Sequence, residues 1–151
     1  MCSDFPLLAL ESSILLMKTE EILSSDYVLR RINERVIDSG RVSSSCFHDR
    51  DDEPSVHLER IADLKIIMEK HPDTLFWGRL NVGEIRSAQL GDVRHDPTED
   101  DYSHCLIVRT ISTEMNKKRR AKELLRLIAG HVHLINGAVT YHATDEKCPI
   151  E

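Results

Sequence analysis

The residues best suited to chemistry lie between Asp101 and His142. An apolar run, Cys105-Leu-Ile-Val-Arg-Thr-Ile111, leads through a short turn into a helix whose first turns read Lys117-Lys-Arg-Arg-Ala-Lys122. Backbone N–H groups at a helix start already carry partial positive charge, so basic side chains there cost helix stability unless an anion sits close by. Lys118, Lys122 and Arg126 step by four residues with Arg119 beside them, which makes a basic ridge along the helix. Lys117, Lys118, Arg119, Arg120, Lys122 and Arg126 are therefore candidate contacts for a phosphate, a nucleotide or an acidic surface. The plainer reading is a solvated face whose long stems sheathe an apolar edge.

A strand, a turn and a basic helix start is also the layout by which acyl-CoA-dependent acetyltransferases hold a pyrophosphate. Those enzymes place glycine in the turn so that amides can close on the phosphates. Ser112 to Arg120 contains none, so the similarity is confined to general layout.

Other constellations are weaker. His131, His133, His142 and Cys148 could be drawn as a metal site, but the paired close spacings of zinc ligands are missing, and the helix is expected to run through His131, where residues two apart diverge. No metal and no cofactor is expected. His104 and Cys105 are neighbours on a strand and point to opposite faces, so they cannot act as base and nucleophile. Ser43 to Ser45 lack a nucleophile elbow, and no phosphate-binding glycine loop occurs.

Carboxylates gather at Asp49 to Glu53 and at Asp96 to Asp101, without the alternating oxygen donors and central glycine of a calcium loop. Asp96, Glu99, Asp100 and Asp101 read instead as an acidic contact surface for a basic partner. Trp77, the only tryptophan, is a core residue by preference and an interface anchor if exposed.

These residues need elements to position them. The N-terminal region predicts a helical hairpin over residues 4–38: a helix from Asp4 to about Leu23, then a second with Leu29, Ile32 and Val36 on one side, stopped by Gly40. Residues 39–54, with Ser43 to Ser45 and the run Asp49 to Glu53, read as a flexible loop before an α+β portion spanning 55–148. There a third helix is expected from Pro54 to Lys70, followed by strands at Thr74–Trp77 and Glu84–Leu90 around an Asn81-Val-Gly83 turn. Gly91 to Asp101 reads as loop, and the Cys105 run as a third strand. The basic helix would pack by Ala121, Leu124, Leu125, Ile128 and Val132, and Ala138–Ala143 would form a fourth strand after the Asn136-Gly137 turn.

The expected fold is thus α+β in the order ααα-βββ-α-β, a small antiparallel sheet of about four strands packed by the long C-terminal helix. Its 151 residues fit one domain with a real core. A charge of −6 disfavours a general nucleic-acid binder. The apolar N-terminus is interrupted by Glu11 and has no basic lead, which gives neither a signal peptide nor a membrane span. Four widely spaced cysteines suit a reducing cytoplasm.

With no catalytic constellation and with charge segregated into acidic loops and one basic face, the sequence points to a non-enzymatic protein that binds and regulates or neutralises a macromolecular partner, another protein above all. A second copy of the chain could cover the N-terminal helices. The alternative is a phosphate-ligand-binding protein, or an acyl-CoA-dependent acyltransferase, using the basic start of the fourth helix.

Overall fold

A computed structural model describes residues 18–48, 53–108, 115–135 and 138–142. Its centre is a strand, not a helix. Tyr-Val-Leu-Arg-Arg-Ile forms β1 (Tyr27–Ile32), in which Val28 and Leu29 are both fully buried on opposite faces. A strand covered on both faces carries no simple alternation, so its apolar residues can fall by chance at helical spacing. That is why Leu29, Ile32 and Val36 mimicked a helix. Val36 instead closes a short 3₁₀ turn, Glu34–Val36, capped by Asn33.

β1 pairs with β4 (Ser55–Leu58) on one side and β5 (Phe76–Asn81) on the other. With β6 (Asp92–His95), β7 (His104–Val108), β8 (Gly130–Ile135) and β9 (Ala138–His142) they make a seven-stranded sheet of order β6-β7-β4-β1-β5-β8-β9. Every pairing is antiparallel. A separate two-stranded hairpin, β2 (Ile37–Asp38) and β3 (Arg41–Val42), turns through Ser39 and Gly40, both at positive φ. Two positive φ angles suit the right-handed twist of the flanking strands.

The expected α+β sheet of about four strands with an N-terminal helical hairpin is therefore overturned by a larger, strand-dominated α+β architecture. Of the first predicted helix, residues 4–17 lie outside the described residues, and residues 18–23 are neither helix nor strand. The second is replaced by β1. Where a third helix was expected from Pro54, Ser55–Leu58 is a strand with Val56 and Leu58 buried, Glu59–Ile61 is a 3₁₀ turn, and the α-helix is confined to α1 (Leu64–Lys70), capped by the Asp63 side chain accepting from Ile66 N at 3.2 Å.

The expected turn at Asn81 and strand at Glu84 are α2 (Val82–Ser87). Asn81 Oδ1 accepts the Glu84 N–H at 3.0 Å, an N-cap that starts a helix. The basic segment is helical as α3 (Met115–Ile128), but at 14 residues it is shorter than expected: it ends before His131, and Val132 belongs to β8. Inside the stretch read as a loop, Ser44–Phe47 is a 3₁₀ turn that buries Cys46 and Phe47.

The sheet divides the core in two. On one face Val28, Val56, Leu80, Cys105 and Ile107 pack with Val82 and Ile85 of α2 and Ala121 and Leu125 of α3. On the other, Leu29, Trp77 and Val132 pack with Ile67 of α1 in a smaller cluster. The N-terminal segment is strapped across the β6 end: Glu20 N–H donates to His95 Nδ1 at 2.7 Å, and Tyr102 O–H donates to the Lys18 carbonyl at 2.5 Å.

Candidate ligand-binding cleft

Strand register places several polar side chains on the α1 face. Leu29 lies opposite His57, His57 opposite His104, and Arg31 opposite Trp77, so all share that face. α1 covers the apolar part through Ile67 and leaves the rest beside a cleft of about 680 Å³ between α1, β4 and the loop that precedes β7. This volume is in the range of small-molecule sites.

His57 is buried, and its Nδ1 lies 2.7 Å from Asp101 Oδ2. The other oxygen, Asp101 Oδ1, accepts from Ser103 N at 2.9 Å and from Ser103 Oγ at 2.5 Å. Burial acts to raise the Asp101 pKa, but hydrogen bonds from His57 and Ser103 outweigh it and hold the carboxyl well below the usual carboxylate range. An ionised Asp101 only accepts, so Nδ1 donates to it, and in the neutral imidazole the lone pair is on Nε2. Nε2 makes no hydrogen bond to a described residue.

Arg31 is half-buried, and its guanidinium makes no hydrogen bond or ion pair with a described residue. Burial first, then neighbouring Arg30, pulls its pKa below the ordinary arginine value, with Asp73 and Asp101 opposing from a distance. His71, at the end of α1, is lowered by burial and by the charges of Arg31 and His57. Lys70 Nζ donates to the Asp100 carbonyl at 2.6 Å and fastens α1 to the loop. Ile61, Ile66 and Ile67 give the cleft an apolar wall, in which Ile66 is 48% exposed.

A smaller cavity of about 270 Å³ continues past Arg31, lined by Arg30, Asn33, His48, Asp73 and Thr74. Arg30 is committed there to the carbonyls of Cys46, Ser55 and His48. Thr74 Oγ1 is buried and has no hydrogen-bond partner among the described residues.

The residues singled out from sequence distribute unevenly over this geometry. Asp101 is in the cleft, but as the partner of His57 and not as a free surface charge. Asp96 binds His104 through its carbonyl at 2.7 Å and its carboxylate at 3.3 Å. Glu99 and Asp100 are exposed on the same loop. Trp77 is 0% exposed, so it is a core residue and offers no anchor to a partner.

No residue of the basic ridge is among those that line the cleft. Arg119 and Arg120 are exposed, Lys122 Nζ lies 3.0 Å from His48 Nδ1, and Arg126 pairs with Glu123. The side chains of Lys117 and Lys118 lie outside the described residues. His131 and His133 are on a strand and not a helix, buried against the Phe76 ring. Among the described residues no three His, Cys, Asp or Glu side chains converge as a metal site. Cys105 is buried, and burial pushes its thiol up to about 12.

Sequence reasoning missed Arg31, His57 and His71. Two signals were present: paired arginines inside a β-branched apolar run, and Ser55-Val-His-Leu58, whose alternation places Ser55 and His57 on one face. Compared with protein-family models, curated proteins and solved structures, the chain has no match. Among the described residues no helix is long and apolar enough to cross a membrane.

Proposed function

We propose that this protein binds a small phosphate-bearing molecule in the α1 cleft, the anion on Arg31 and an apolar moiety along Ile61, Ile66 and Ile67. The observation that carries this reading is Arg31. A guanidinium withdrawn from water without a bonded carboxylate is costly unless a ligand supplies the negative charge, and its planar fork suits phosphate oxygens. The orphaned Thr74 hydroxyl in the adjoining cavity offers one further polar contact. The free, buried thiols Cys46 and Cys105 support a reducing, cytoplasmic setting.

The test is a thermal-shift series with nucleoside monophosphates, sugar phosphates and inorganic phosphate on the protein and on Arg31→Gln. At a ligand concentration about a hundredfold above Kd the native state gains about 2.7 kcal/mol, a midpoint rise of roughly 5–10 °C for a chain of this size. The rise is expected with the organic phosphates and is expected to vanish in Arg31→Gln. No shift with any phosphate, or an equal shift in the variant, overturns the reading. A second reading, regulatory binding of a basic protein partner, is favoured by the exposed Glu99 and Asp100 on the loop at the cleft rim.

A further inference from the structure

We propose that the same cleft hydrolyses phosphodiesters of nucleotide size, with His57 as general base, Asp101 as its positioning residue and His71 as general acid. The inference rests on the phosphate-binding reading and goes beyond it, from occupancy to turnover.

The geometry around His57 argues for proton transfer. Asp101 is fixed by both oxygens, one on His57 and one on Ser103, so it holds the imidazole in a single tautomer and orientation. This leaves Nε2 as an oriented base with no hydrogen bond to a described residue. The nearby hydroxyl of Ser103 is spent on Asp101 and is 2% exposed, and Cys105 is turned to the opposite face of the sheet. Neither Ser103 nor Cys105 is therefore what His57 activates, and the step proposed here uses water. The proton it takes belongs to a water molecule or to the substrate.

The cleft supplies the remaining parts. His71 lines it from the end of α1, close enough to His57 and Arg31 for their charges to act on its ring, and that ring makes no hydrogen bond to a described residue. In the proposed step, His57 Nε2 removes a proton from water as the water oxygen bonds to phosphorus. The bond from phosphorus to one ester oxygen breaks, its electron pair stays on that oxygen, and the His71 imidazolium protonates it. Arg31 faces the negative oxygens left on phosphorus. Proton exchange with solvent then restores both histidines. A nucleoside base would rest on the Ile61 and Ile66 wall, opposite Tyr102, which is 38% exposed.

The charged groups facing His71 are Arg31 from β1, His57 from β4, Asp101 from the loop, and Asp73 and Lys70 on either side of it in the chain. Burial, Arg31 and His57 disfavour the imidazolium, whereas the two aspartates and the substrate's own charge restore it. The rate is accordingly expected to fall as pH rises through the His71 titration.

The experiment offers 2′,3′-cyclic and 3′,5′-cyclic nucleotides to the full chain in EDTA and follows monophosphate release, while calorimetry measures binding of the monophosphates. Hydrolysis of one of these diesters is expected, with kcat reduced at least about a hundredfold in His57→Gln and in His71→Asn and monophosphate binding kept. His71→Asn removes a half-exposed side chain, so it reports even if His57→Gln fails to fold. Asp101→Asn is expected to change the pH profile as well as the rate, which a purely structural role would not do. Arg119→Ala on the α3 surface should turn over as the parent does. Monophosphate binding without turnover of any diester overturns the inference and leaves the binding reading intact; absence of both overturns the two together.

Discussion

Arg31 and Asp101 show how a single side chain acquires meaning from its surroundings. A guanidinium on a central strand, half-buried and without a bonded counter-ion among the described residues, is maintained at a cost in stability. Replacing it by an apolar side chain of similar length should therefore stabilise the empty protein while removing the ligand response. Arg31→Met is expected to raise the stability measured by urea unfolding by roughly 0.5–2 kcal/mol. Protonation argues in the same place. Asp101 and His71 are both held below their ordinary values, so the unfolded chain binds more protons than the folded one in each window, and stability is lost as pH falls. The first decline begins as pH drops below 6.5, the ordinary His71 value, and a second begins below 3.8, the ordinary Asp101 value. Urea unfolding at about pH 7.5, 5 and 3 checks this, with a stepwise fall expected and no recovery at the acid end.

At the scale of elements, what the sequence made legible depended on whether an element is covered on one side or two. α3 has one core-facing stripe, and its Ala121, Leu124, Leu125 and Ile128 were readable as such, as were the apolar run of β7 and the alternation of β9. β1 is covered on both faces and carries no period-2 signal, and the alternation of β4 runs over only four residues, too few to stand out beside the apolar residues that follow. β8 was absorbed into the helix before it because Gly130 is the only punctuation between Ile128 and Val132. Asn81 was the instructive ambiguity. Asn followed by Gly two residues later reads as a turn, but Asn followed by Glu three residues later reads as a helix cap, and the cap prevailed. Gly83 serves the packing: a Cβ there would meet the Ser24 carbonyl at 2.9 Å. Asn81→Ala is expected to cost about 1 kcal/mol in thermal unfolding, without affecting ligand response, because α2 lies on the other face of the sheet.

At the scale of the whole molecule, the cleft was illegible because its members are far apart in the chain. Arg31, His57, His71 and Asp101 meet only once β1, β4, the end of α1 and the loop before β7 are side by side, and no local spacing encodes that. The acidic loop was recognised as a cluster, but its most buried member proved to be a histidine's partner. The basic ridge was recognised as a surface, and its described members lie on α3 outside the cleft lining.

The placing of β1 bears on how the chain survives its own synthesis. Of the described strands, the one at the middle of the sheet leaves the ribosome first, while its neighbours β4 and β5 follow only after further tens of residues, a delay of seconds at ordinary translation rates. During that interval Tyr27–Ile32 is a β-branched, apolar segment with both edges unpaired, the kind of segment that recruits other chains. Arg30 and Arg31 interrupt it with two adjacent positive charges that resist such pairing. The arginine proposed to hold an anion in the finished protein thus first acts as a guard for the nascent one, and Arg31→Met, expected to be more stable once folded, is also expected to leave the ribosome more prone to aggregate.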